Sequence, residues 1–319
     1  MNLILVFGFF LINFLVSIIY FYLADKYQII DKPNQRSSHS IVTIRGGGIV
    51  FVLGALVFSL MNGFVYPFLM FALFLSGLVS FWDDVRGVSR RVRFLSHSLA
   101  IVMVLKECNL IELNWWIIPV FILLVGILNA YNFMDGINGL TGFYSLAIFI
   151  PFLFLEHDFF RMKFMVSIVI SLMVFLFFNA RKKARCFAGD IGSISMAVLV
   201  IYIVLIKIEQ TARIELITVF FIYGIDSIFT IVQRLFNNEN IFDAHRKHLY
   251  QYLVNEFGLG HLFVSISYSL IQMIFNCWLI FTEPKLIYII LVIFFFGLFY
   301  ILLKYWLLKR LDHSLKFNH

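Results

Sequence analysis

The chain has 319 residues, of which 62% are hydrophobic and only 13% are charged. With 40 phenylalanines and a mean hydropathy of +0.94, this composition excludes an ordinary water-soluble domain and predicts an integral membrane protein. The formal net charge of +7 is explained by the basic loops of such a protein, so the sequence does not predict nucleic-acid binding. The three cysteines are scattered and show no CxxC spacing, so neither a zinc site nor a disulfide framework is expected.

Apolar segments recur along the chain, and each is long enough or nearly long enough to cross a bilayer, which takes roughly 20 residues. The eleven segments are residues 2–24, 46–61, 66–82, 94–105, 115–131, 143–155, 164–179, 194–206, 216–232, 262–281 and 286–303. Three of them are short, so they need independent support. The sequence predicts an all-α polytopic integral membrane protein with about eleven transmembrane helices, forming one domain over residues 1–319.

The distribution of basic residues supports all eleven segments. If the N-terminus lies outside, 19 of the 25 Lys and Arg fall in loops and a tail that face the cytoplasm. Removing any one short segment would invert every later loop and destroy this asymmetry. The outer side then carries only six basic residues: Lys106, Arg161, Lys163, Lys207, Arg213 and Lys285.

Every dense cluster of Asp, Asn, His, Arg and Gly lies in the predicted cytoplasmic loops. A transporter is expected to place key polar groups near the membrane midplane, so this pattern disfavours a non-enzymatic lipid-linked sugar transporter. Two ionisable residues, His97 and Asp226, lie within predicted spans. We interpret His97 as a hydrogen-bonded helix partner, whereas Asp226 is equally compatible with a structural and a functional role and could pair with an inward-facing arginine.

The first cytoplasmic loop ends in Arg45 followed by three glycines, Gly46, Gly47 and Gly48. Residues without Cβ allow a ligand to approach the backbone, and a helix N-terminus offers N–H groups to an anion such as phosphate. The alternative is that these glycines serve close helix packing in the membrane.

The third loop carries amides and one carboxylate at three-residue spacing: Asn129, Asn132, Asp135 and Asn138. On a helical turn this spacing predicts one polar stripe, which could orient sugar hydroxyls or a hydrated Mg²⁺. The alternative is a series of helix caps and turns, which suits Asn138 and the following Gly139 best.

Two further loops carry carboxylates. Asp83 and Asp84 form an adjacent pair directly after the third apolar segment, and Asp190 stands alone between glycines after a basic run. A lone carboxylate at a span mouth suits Mg²⁺, which uses one or two protein carboxylates and completes its shell with water and substrate phosphates.

Five motifs connect these loops to a known family. In order, they are DKPNQRSSHSIVTIRGGG, FWDDVRGVSRR, NAYNFMDGINGL, FAGDIGS and ENIFDAHRKHLYQ, within residues 31–251. Together they resemble the bacterial polyprenyl-phosphate N-acetylhexosamine-1-phosphate transferases. The last motif is similar to the branch that begins O-antigen or capsular repeat units, because only His248 remains of the His-rich run typical of other branches. The peptidoglycan-precursor enzyme, phospho-MurNAc-pentapeptide transferase, is the alternative within the family.

The resemblance implies an enzyme that transfers an N-acetylhexosamine 1-phosphate from a UDP-sugar to undecaprenyl (polyprenyl) phosphate and releases UMP. It also implies a requirement for Mg²⁺, with Mn²⁺ as a substitute, and a place in the bacterial inner membrane with catalytic loops facing the cytoplasm. The product would be the first lipid-linked intermediate of O-antigen, capsule or another cell-envelope polysaccharide. A homodimer is compatible with this interpretation.

On this resemblance, we predict the role of each site residue. The catalytic residues are Asp83, Asp84, Asp135 and His248, the metal ligands are Asp190 and Asn132, and the substrate contacts are Arg45, Gly46, Gly47, Asn138, Arg246 and His245. We favour direct in-line attack by the lipid phosphate with Asp83 as the base. The alternative mechanism uses a carboxylate, Asp135, as the nucleophile of a covalent intermediate.

Overall fold

The structure is a bundle of α-helices. The computed structural model describes residues 3–33, 38, 41–111, 115–241, 243 and 245–317, with side chains up to residue 311. Two short antiparallel strands, β1 (Ile30–Asp31) and β2 (Thr43–Ile44), precede the second helix. The helices are α1 (Leu3–Lys26), α2 (Ile49–Met61), α3 (Pro67–Arg86), α4 (Arg90–Glu107), α5 (Ile117–Met134), α6 (Leu140–Leu155), α7 (Phe159–Asn179), α8 (Gly189–Thr211), α9 (Phe221–Phe236), α10 (Leu249–Asn255), α11 (His261–Thr282) and α12 (Leu286–Phe317).

All eleven predicted apolar segments lie in helical structure, so the prediction of an all-α polytopic membrane protein is confirmed. One segment, 216–232, is divided between a 3₁₀ helix (Ile214–Phe220) and α9, which continue directly into each other. Among the described residues, eight helical segments are long and apolar enough to span a membrane. The remaining three are α2 with 13 residues, α6 with 16 residues and α4, whose first turn is rich in arginine. The count of eleven spans therefore stays a prediction.

Helix α8 lies at the centre of the bundle and packs against α2, α3, α4, α5 and α6. Within its membrane-spanning window, 89% of the residues are buried, compared with 22% in α1 and 17% in α12. Small residues at the start of α8 allow this close packing. Gly192, for example, lies against the backbone of Gly48 at the start of α2, where either glycine would clash if it carried a Cβ.

The motif-bearing loops meet at one end of the bundle, which we call the motif end. The N–H of Phe187, before α8, donates to the carbonyl of Ile44 in β2 at 2.8 Å. Tyr250 in α10 donates its hydroxyl to the carbonyl of Phe133 in α5 at 2.9 Å. These contacts bring the five predicted motifs together, although they are separated by up to 220 residues along the sequence (31–251).

Candidate active site

Asp84 holds the start of α8 in place. Its Oδ1 accepts a hydrogen bond from the N–H of Asp190 at 3.1 Å, and its Oδ2 accepts one from the N–H of Ile191 at 3.3 Å. A carboxylate in this position satisfies free helix N–H groups and interacts favourably with the helix dipole. Arg45 completes the arrangement, since its Nε lies 2.7 Å from Oδ1 of the fully buried Asp84 side chain. The geometry is that of a positioning residue, and the catalytic role of Asp84 stays a prediction.

Asp83 points away from its neighbour and fixes the turn between α3 and α4. Its Oδ1 accepts from the N–H of Val88 at 2.6 Å, and its Oδ2 accepts from Nη1 of Arg93 at 2.9 Å. Both carboxylate oxygens are therefore engaged. The two adjacent aspartates bind different arginines, because successive helical residues point about 100° apart.

Asp190 lies in the first turn of α8, beside the other two aspartates. Its Oδ1 accepts a hydrogen bond from Nδ2 of Asn132 at 3.0 Å, and Nη2 of Arg45 lies 3.7 Å away. Asp190 also interacts with Asp83. The expectation that Asp190 and Asn132 act together is supported by this contact, whereas the expectation of a lone carboxylate is wrong, since the chain fold brings the α3 aspartates next to it.

Asp135 is buried directly after the end of α5. Its Oδ1 accepts a hydrogen bond from the hydroxyl of Thr141 at 2.5 Å. Burial raises the pKa of the Asp135 carboxyl to about 7; the Thr141 hydrogen bond lowers it, and the nearby Asp190 raises it further. At neutral pH, Asp135 is therefore present in both its protonated and its ionised form in the protein without ligands.

The predicted polar stripe is wrong beyond Met134, where α5 ends. Asn129 and Asn132 lie on the helix, but Asp135 and Asn138 lie in the following turn. The sequence could not show this boundary, because the spacing of the polar residues continues unchanged across it.

Asn138 and Gly139 form a turn, as the alternative interpretation predicted. Nδ2 of Asn138 donates to the carbonyl of Arg181 at 2.7 Å, and the N–H of Gly139 donates to Oδ1 of Asn179 at 2.6 Å. Gly139 has φ of 86°, a conformation that favours glycine. Among the described residues, Oδ1 of Asn138 has no hydrogen-bond partner although it is buried. It is therefore an acceptor available to a ligand.

The three glycines after Arg45 pack against other parts of the protein and do not form an open anion-binding loop. The N–H groups of Gly47 and Gly48 donate to the carbonyls of Phe187 at 2.8 Å and Ala188 at 3.0 Å. They are not free to bind an anion, and the alternative of close packing is confirmed for both. Gly46 has φ of 78° and turns the chain after Arg45. Substrate contacts by Gly46 and Gly47 stay predictions.

His248 is buried beside Asp226, with its Nδ1 3.0 Å from the carboxylate Oδ1. The partner of Asp226 is therefore this histidine, and the suggestion of an arginine partner is wrong. His245, half-buried, packs against His248 with ring centroids 5.1 Å apart. Burial, together with the neighbouring His248, lowers the pKa of His245 to about 4, so its imidazole is neutral at physiological pH.

Arg246 points to a different surface. Its Nη2 lies 3.6 Å from Oε1 of Glu256, and both side chains are partly exposed. Arg246 and His245 line a solvent-open cavity of about 540 Å³. A role for Arg246 in substrate binding stays a prediction.

Two further cavities meet at the motif end, and we call them cavity A and cavity B. Cavity A has a volume of about 310 Å³ and is mainly polar. It is lined by Arg45, Asp135, Asn138, Asn179 and Gly189, among others. It therefore offers a ligand one guanidinium group, the carboxyl groups of Asp31, Asp135 and Asp190, and several amides.

Cavity B has a volume of about 460 Å³ and combines basic and apolar walls. Its apolar wall includes Phe94 and Phe133, both exposed on helices that face the lipid. His97 also lines it, and its buried Nε2 has no hydrogen-bond partner among the described residues. The expectation that His97 is a hydrogen-bonded helix partner therefore does not hold for this nitrogen. The basic wall consists of Arg90, Arg93, His97, His245 and His248.

Three residues line both cavities: Asn132, Asp190 and Gln251. Neither Gln251 nor Ser193 was among the predicted site residues. Oγ of Ser193 lies 3.2 Å from Nδ2 of Asn132. Gln251 and Ser193 belong to recognised motifs, HLYQ and FAGDIGS, and this was the signal that could have identified them. The junction of the cavities thus contains Asp190 and its amide partner.

The charges at this junction do not balance. Four carboxylates, Asp83, Asp84, Asp135 and Asp190, lie near two arginines, Arg45 and Arg93. Burial disfavours the charge of Arg45, but Asp84 and Asp190 outweigh this effect and raise its pKa. An excess of carboxylates among buried groups is a feature of sites that bind a cation.

The donor set fits Mg²⁺. Among the described residues, no three His, Cys, Asp or Glu side chains form a complete metal site. Mg²⁺ does not need one, because it prefers oxygen donors and takes one or two protein carboxylates together with water and substrate phosphates. Asp190, with the amide oxygen of Asn132 nearby, is the best candidate to hold it.

Comparison with known proteins connects this geometry to sugar-phosphate transfer. Residues 66–208 match glycosyl transferase family 4, and this region contains all four carboxylates of the junction. The resemblance predicted from the motifs is therefore confirmed.

The similarity extends over most of the chain in two relatives. The chain is 25% identical over 297 residues to the probable undecaprenyl-phosphate N-acetylglucosaminyl 1-phosphate transferase of Bacillus subtilis, covering 86% of this chain and 82% of that protein. It is 28% identical over 269 residues to the undecaprenyl-phosphate alpha-N-acetylglucosaminyl 1-phosphate transferase of Thermotoga maritima, covering 82% and 85%. The phospho-N-acetylmuramoyl-pentapeptide-transferase of Thermotoga maritima is 27% identical over 170 residues, which is 47% of this chain and 56% of that protein.

Proposed function

We propose that this protein transfers an N-acetylhexosamine 1-phosphate from a UDP-sugar to undecaprenyl phosphate and releases UMP. The observation that carries the proposal is the junction at Asp190, where a polar cavity and a partly apolar cavity meet beside an excess of carboxylates. The reaction joins a water-soluble substrate to a lipid, so it needs two such compartments with a shared reaction point. Both substrates are anionic, which accounts for the arginines and for a divalent cation.

We assign the UDP-sugar to cavity A. Arg45 can bind its pyrophosphate, because a guanidinium forms strong charge-assisted hydrogen bonds with phosphate oxygens. The unpartnered Oδ1 of Asn138 can accept a hydrogen bond from a sugar hydroxyl or from the N-acetyl N–H. These two groups would hold the sugar-linked phosphorus near Asp190.

We assign the phosphate group of undecaprenyl phosphate to cavity B. The exposed Phe94 and Phe133 are suited to the first isoprenyl units, because lipid already covers that face of the bundle. Arg93 and His97 would contact the phosphate. The Asp83–Arg93 ion pair then orients the arginine towards the phosphate. The other oxygen of Asp83 accepts from the N–H of Val88 and fixes the carboxylate in place.

The lipid phosphate oxygen attacks the sugar-linked phosphorus in line with the departing UMP oxygen. Mg²⁺ bound at Asp190 and Asn132, or Mn²⁺ in its place, supplies neutralisation of the developing phosphate charge. Arg45 stabilises the same charge from cavity A, and Asp84 keeps Arg45 and the start of α8 in register. A phosphate monoester has a second pKa of about 6, so most of the lipid phosphate arrives ionised and requires little help from a base.

The covalent alternative places the sugar phosphate on Asp135. The hydrogen bond from Thr141 argues against it, because it already engages one oxygen of the Asp135 carboxyl group. A trapped phospho-sugar on the protein after rapid acid quenching would overturn the direct mechanism.

We further propose eleven transmembrane helices, a bacterial inner membrane location and a motif end that faces the cytoplasm, where UDP-sugars are made. The charge asymmetry of the loops supports this orientation. The AHRKHLYQ motif supports a role in starting O-antigen, capsule or related envelope polysaccharides.

The decisive experiment is an exchange assay on membranes that contain the protein. Radiolabelled UMP, Mg²⁺ and sugar-loaded lipid should regenerate labelled UDP-sugar, because one phosphoric anhydride is exchanged for another at little cost. A panel of UDP-N-acetylated sugars and UDP-MurNAc-pentapeptide identifies the donor. Exchange with the pentapeptide donor alone would favour the peptidoglycan-precursor reaction, and absence of exchange with every donor would refute the proposal.

A further inference from the structure

Asp226 is a buried carboxylate with an unusually complete set of hydrogen-bond donors. It lies in α9 and is 1% exposed. Its Oδ2 accepts from the hydroxyl of Tyr268 at 2.9 Å, and its Oδ1 accepts from the hydroxyl of Tyr300 at 3.1 Å and from the N–H of Leu249 at 3.2 Å. Oδ1 also accepts from the hydroxyl of Thr230 at 3.3 Å and lies 3.0 Å from Nδ1 of His248. A carboxylate inside a helical bundle is costly unless it is bonded in this way.

Lys304 supplies the counter-charge from α12. It is 5% exposed, and its Nζ donates to Oγ1 of Thr230 at 3.0 Å and to the hydroxyl of Tyr300 at 3.2 Å. Both hydroxyl groups also contact Asp226, so one layer of hydroxyls separates the ammonium group from the carboxylate. Lys304 thus balances the charge of Asp226 through this layer of hydroxyl groups.

The contact with Asp226 determines which ring nitrogen of His248 carries a proton. A carboxylate only accepts hydrogen bonds, so the contact at 3.0 Å requires the N–H on Nδ1. In a neutral imidazole, Nε2 is then the unprotonated nitrogen with a free electron pair. His248 lines cavity B, and because Nδ1 is engaged with Asp226, Nε2 is the nitrogen available to a ligand.

The imidazole ring is also fixed in orientation. The ring centroid of His248 lies 5.8 Å from that of Tyr250 and 6.2 Å from that of Phe133. The backbone N–H of His248 donates to Oε1 of Gln251 at 3.2 Å, which caps α10. Ring packing, the cap and the Asp226 contact therefore leave His248 little freedom to turn.

We propose that Asp226 is a positioning residue that acts through His248: it fixes the tautomer with the proton on Nδ1 and presents Nε2 to cavity B as a hydrogen-bond acceptor. The inference rests on the proposed function, since it assigns Nε2 to the protonated oxygen of the lipid phosphate in that cavity. Tyr268, Tyr300 and Lys304 support Asp226 from α11 and α12, which lie outside the family-matched region 66–208.

A double-mutant cycle tests whether Asp226 acts through His248. Asp226→Asn should lower kcat about tenfold near pH 6, where about half of the lipid phosphate still carries its second proton, and less at higher pH, since an amide in this position favours the other tautomer. The KM for the UDP-sugar should stay within about twofold. His248→Ala should lower kcat by a similar factor, and the double variant should be no slower than His248→Ala alone. Loss factors that multiply in the double variant would overturn the inference, because they would mean that the two residues act independently.

Two kinds of control separate positioning from general loss of structure. Gln272→Ala removes a different buried hydrogen-bonded residue of α11, which bonds Tyr144 and the N–H of Ile222, and its loss factor should multiply with that of His248→Ala. If Asp226→Asn does not fold, Tyr268→Phe replaces it in the cycle, with an expected loss of several-fold. Among His248 variants, Gln should retain more activity than Asn, because its side-chain oxygen reaches the position of Nε2.

A spectroscopic measurement keeps this inference separable from the proposed function. ¹⁵N NMR of the histidine-labelled protein in lipid should show His248 with its proton on Nδ1 in the wild type and on Nε2 in Asp226→Asn, with the signal assigned by its loss in His248→Gln. The wild type with the opposite tautomer would overturn the inference even if sugar transfer is active. Conversely, the expected tautomers without any exchange activity would refute the proposed reaction and Nε2's role in it, while leaving the Asp226–His248 arrangement intact.

Discussion

The two ends of the bundle both contain buried charges, but they differ in how many cations each carboxylate is paired with. At the end opposite the motifs, Nζ of Lys207 lies 3.0 Å from Oε2 of Glu156, both almost fully buried, and Nη1 of Arg161 adds a second cation at 3.6 Å. At the motif end, Asp84 and Asp190 share one arginine, Arg45, at 2.7 and 3.7 Å.

The buried charges around Glu156 stabilise the fold, whereas the aspartates at the motif end are arranged to bind a ligand. Glu156 has two cationic partners, Lys207 and Arg161, so its negative charge is compensated within the protein, and we call this the complete end. Asp135 and Asp190 have fewer cationic partners. Binding of a cation, alone or together with an anionic substrate, therefore lowers their electrostatic free energy. Removing a charge should therefore affect stability at one end and metal dependence at the other.

The largest expected effect is on stability at the complete end. Lys207→Met leaves Glu156 buried with Arg161 alone, so we expect the free energy of unfolding to fall by about 3 kcal/mol. Denaturant unfolding of the protein in detergent measures this. Lys285→Met, which removes an exposed lysine at the same end, is the matched control and should change little. A Lys207→Met variant as stable as this control would remove the distinction between the two ends.

At the motif end, Asp190→Asn should abolish most turnover instead. We expect a loss of about 10² or more at ordinary Mg²⁺ concentrations and partial recovery at high Mg²⁺ or Mn²⁺, because one charge-stabilising contact is lost. Initial rates as a function of metal concentration measure this. Asp158→Asn, a carboxylate that caps α7 at the opposite end, is the control, since Asn caps helices equally well. An unchanged metal requirement in Asp190→Asn would contradict the assignment.

Asp83→Asn should have a smaller effect, about tenfold or less. The amide oxygen can still accept from Arg93, so the arginine stays close to its place in cavity B. The metal requirement should match the wild type, and the loss should not depend on pH, because the contact with Arg93 transfers no proton. A loss that shrinks as the pH rises past the phosphate pKa of about 6 would instead mean that Asp83 acts as the base. If the Mg²⁺ requirement rises, Asp83 rather than Asp190 binds the metal.

The smallest effect concerns labelling, which tests whether the two ends lie on opposite sides of the membrane. A cysteine at position 238 should react with a membrane-impermeant maleimide only from the cytoplasmic side, and one at position 62 only from outside. The native Cys186 should stay silent, because burial raises its pKa to about 12 and the reactive thiolate is scarce below that pH. Labelling of both introduced cysteines from the same side would refute the topology.

The sequence predicted the helices better than the contacts between them. Apolar length and loop charge located all eleven segments, because both follow from the bilayer itself. The motifs correctly brought Asp190 and Asn132 together. The different roles of Asp83 and Asp84 could not be predicted, since the pairing with Arg93 or Arg45 depends on how α3 packs against α4 and α8.

The pairing of Asp226 with His248 was also beyond the sequence. The two residues are 22 positions apart, and the loop between them carries several arginines and lysines that are equally plausible partners. The partner of Asp226 is determined by the start of α10. There His248 caps the helix, and the next N–H, from Leu249, donates to the same carboxylate oxygen. Such a choice is made by tertiary packing rather than by residue type.

The central position of α8 has a consequence for how the protein responds to different membranes. Asp190 and Lys207, at its two ends, are about 26 Å apart along the helix axis, close to the thickness of the hydrocarbon core. Because α8 is 89% buried whereas α1 and α12 are 22% and 17% buried, a thinner or thicker bilayer acts on the outer helices first. They can tilt to relieve hydrophobic mismatch while α8 keeps its length and angle. The reaction point is therefore insulated from changes in lipid chain length and growth temperature.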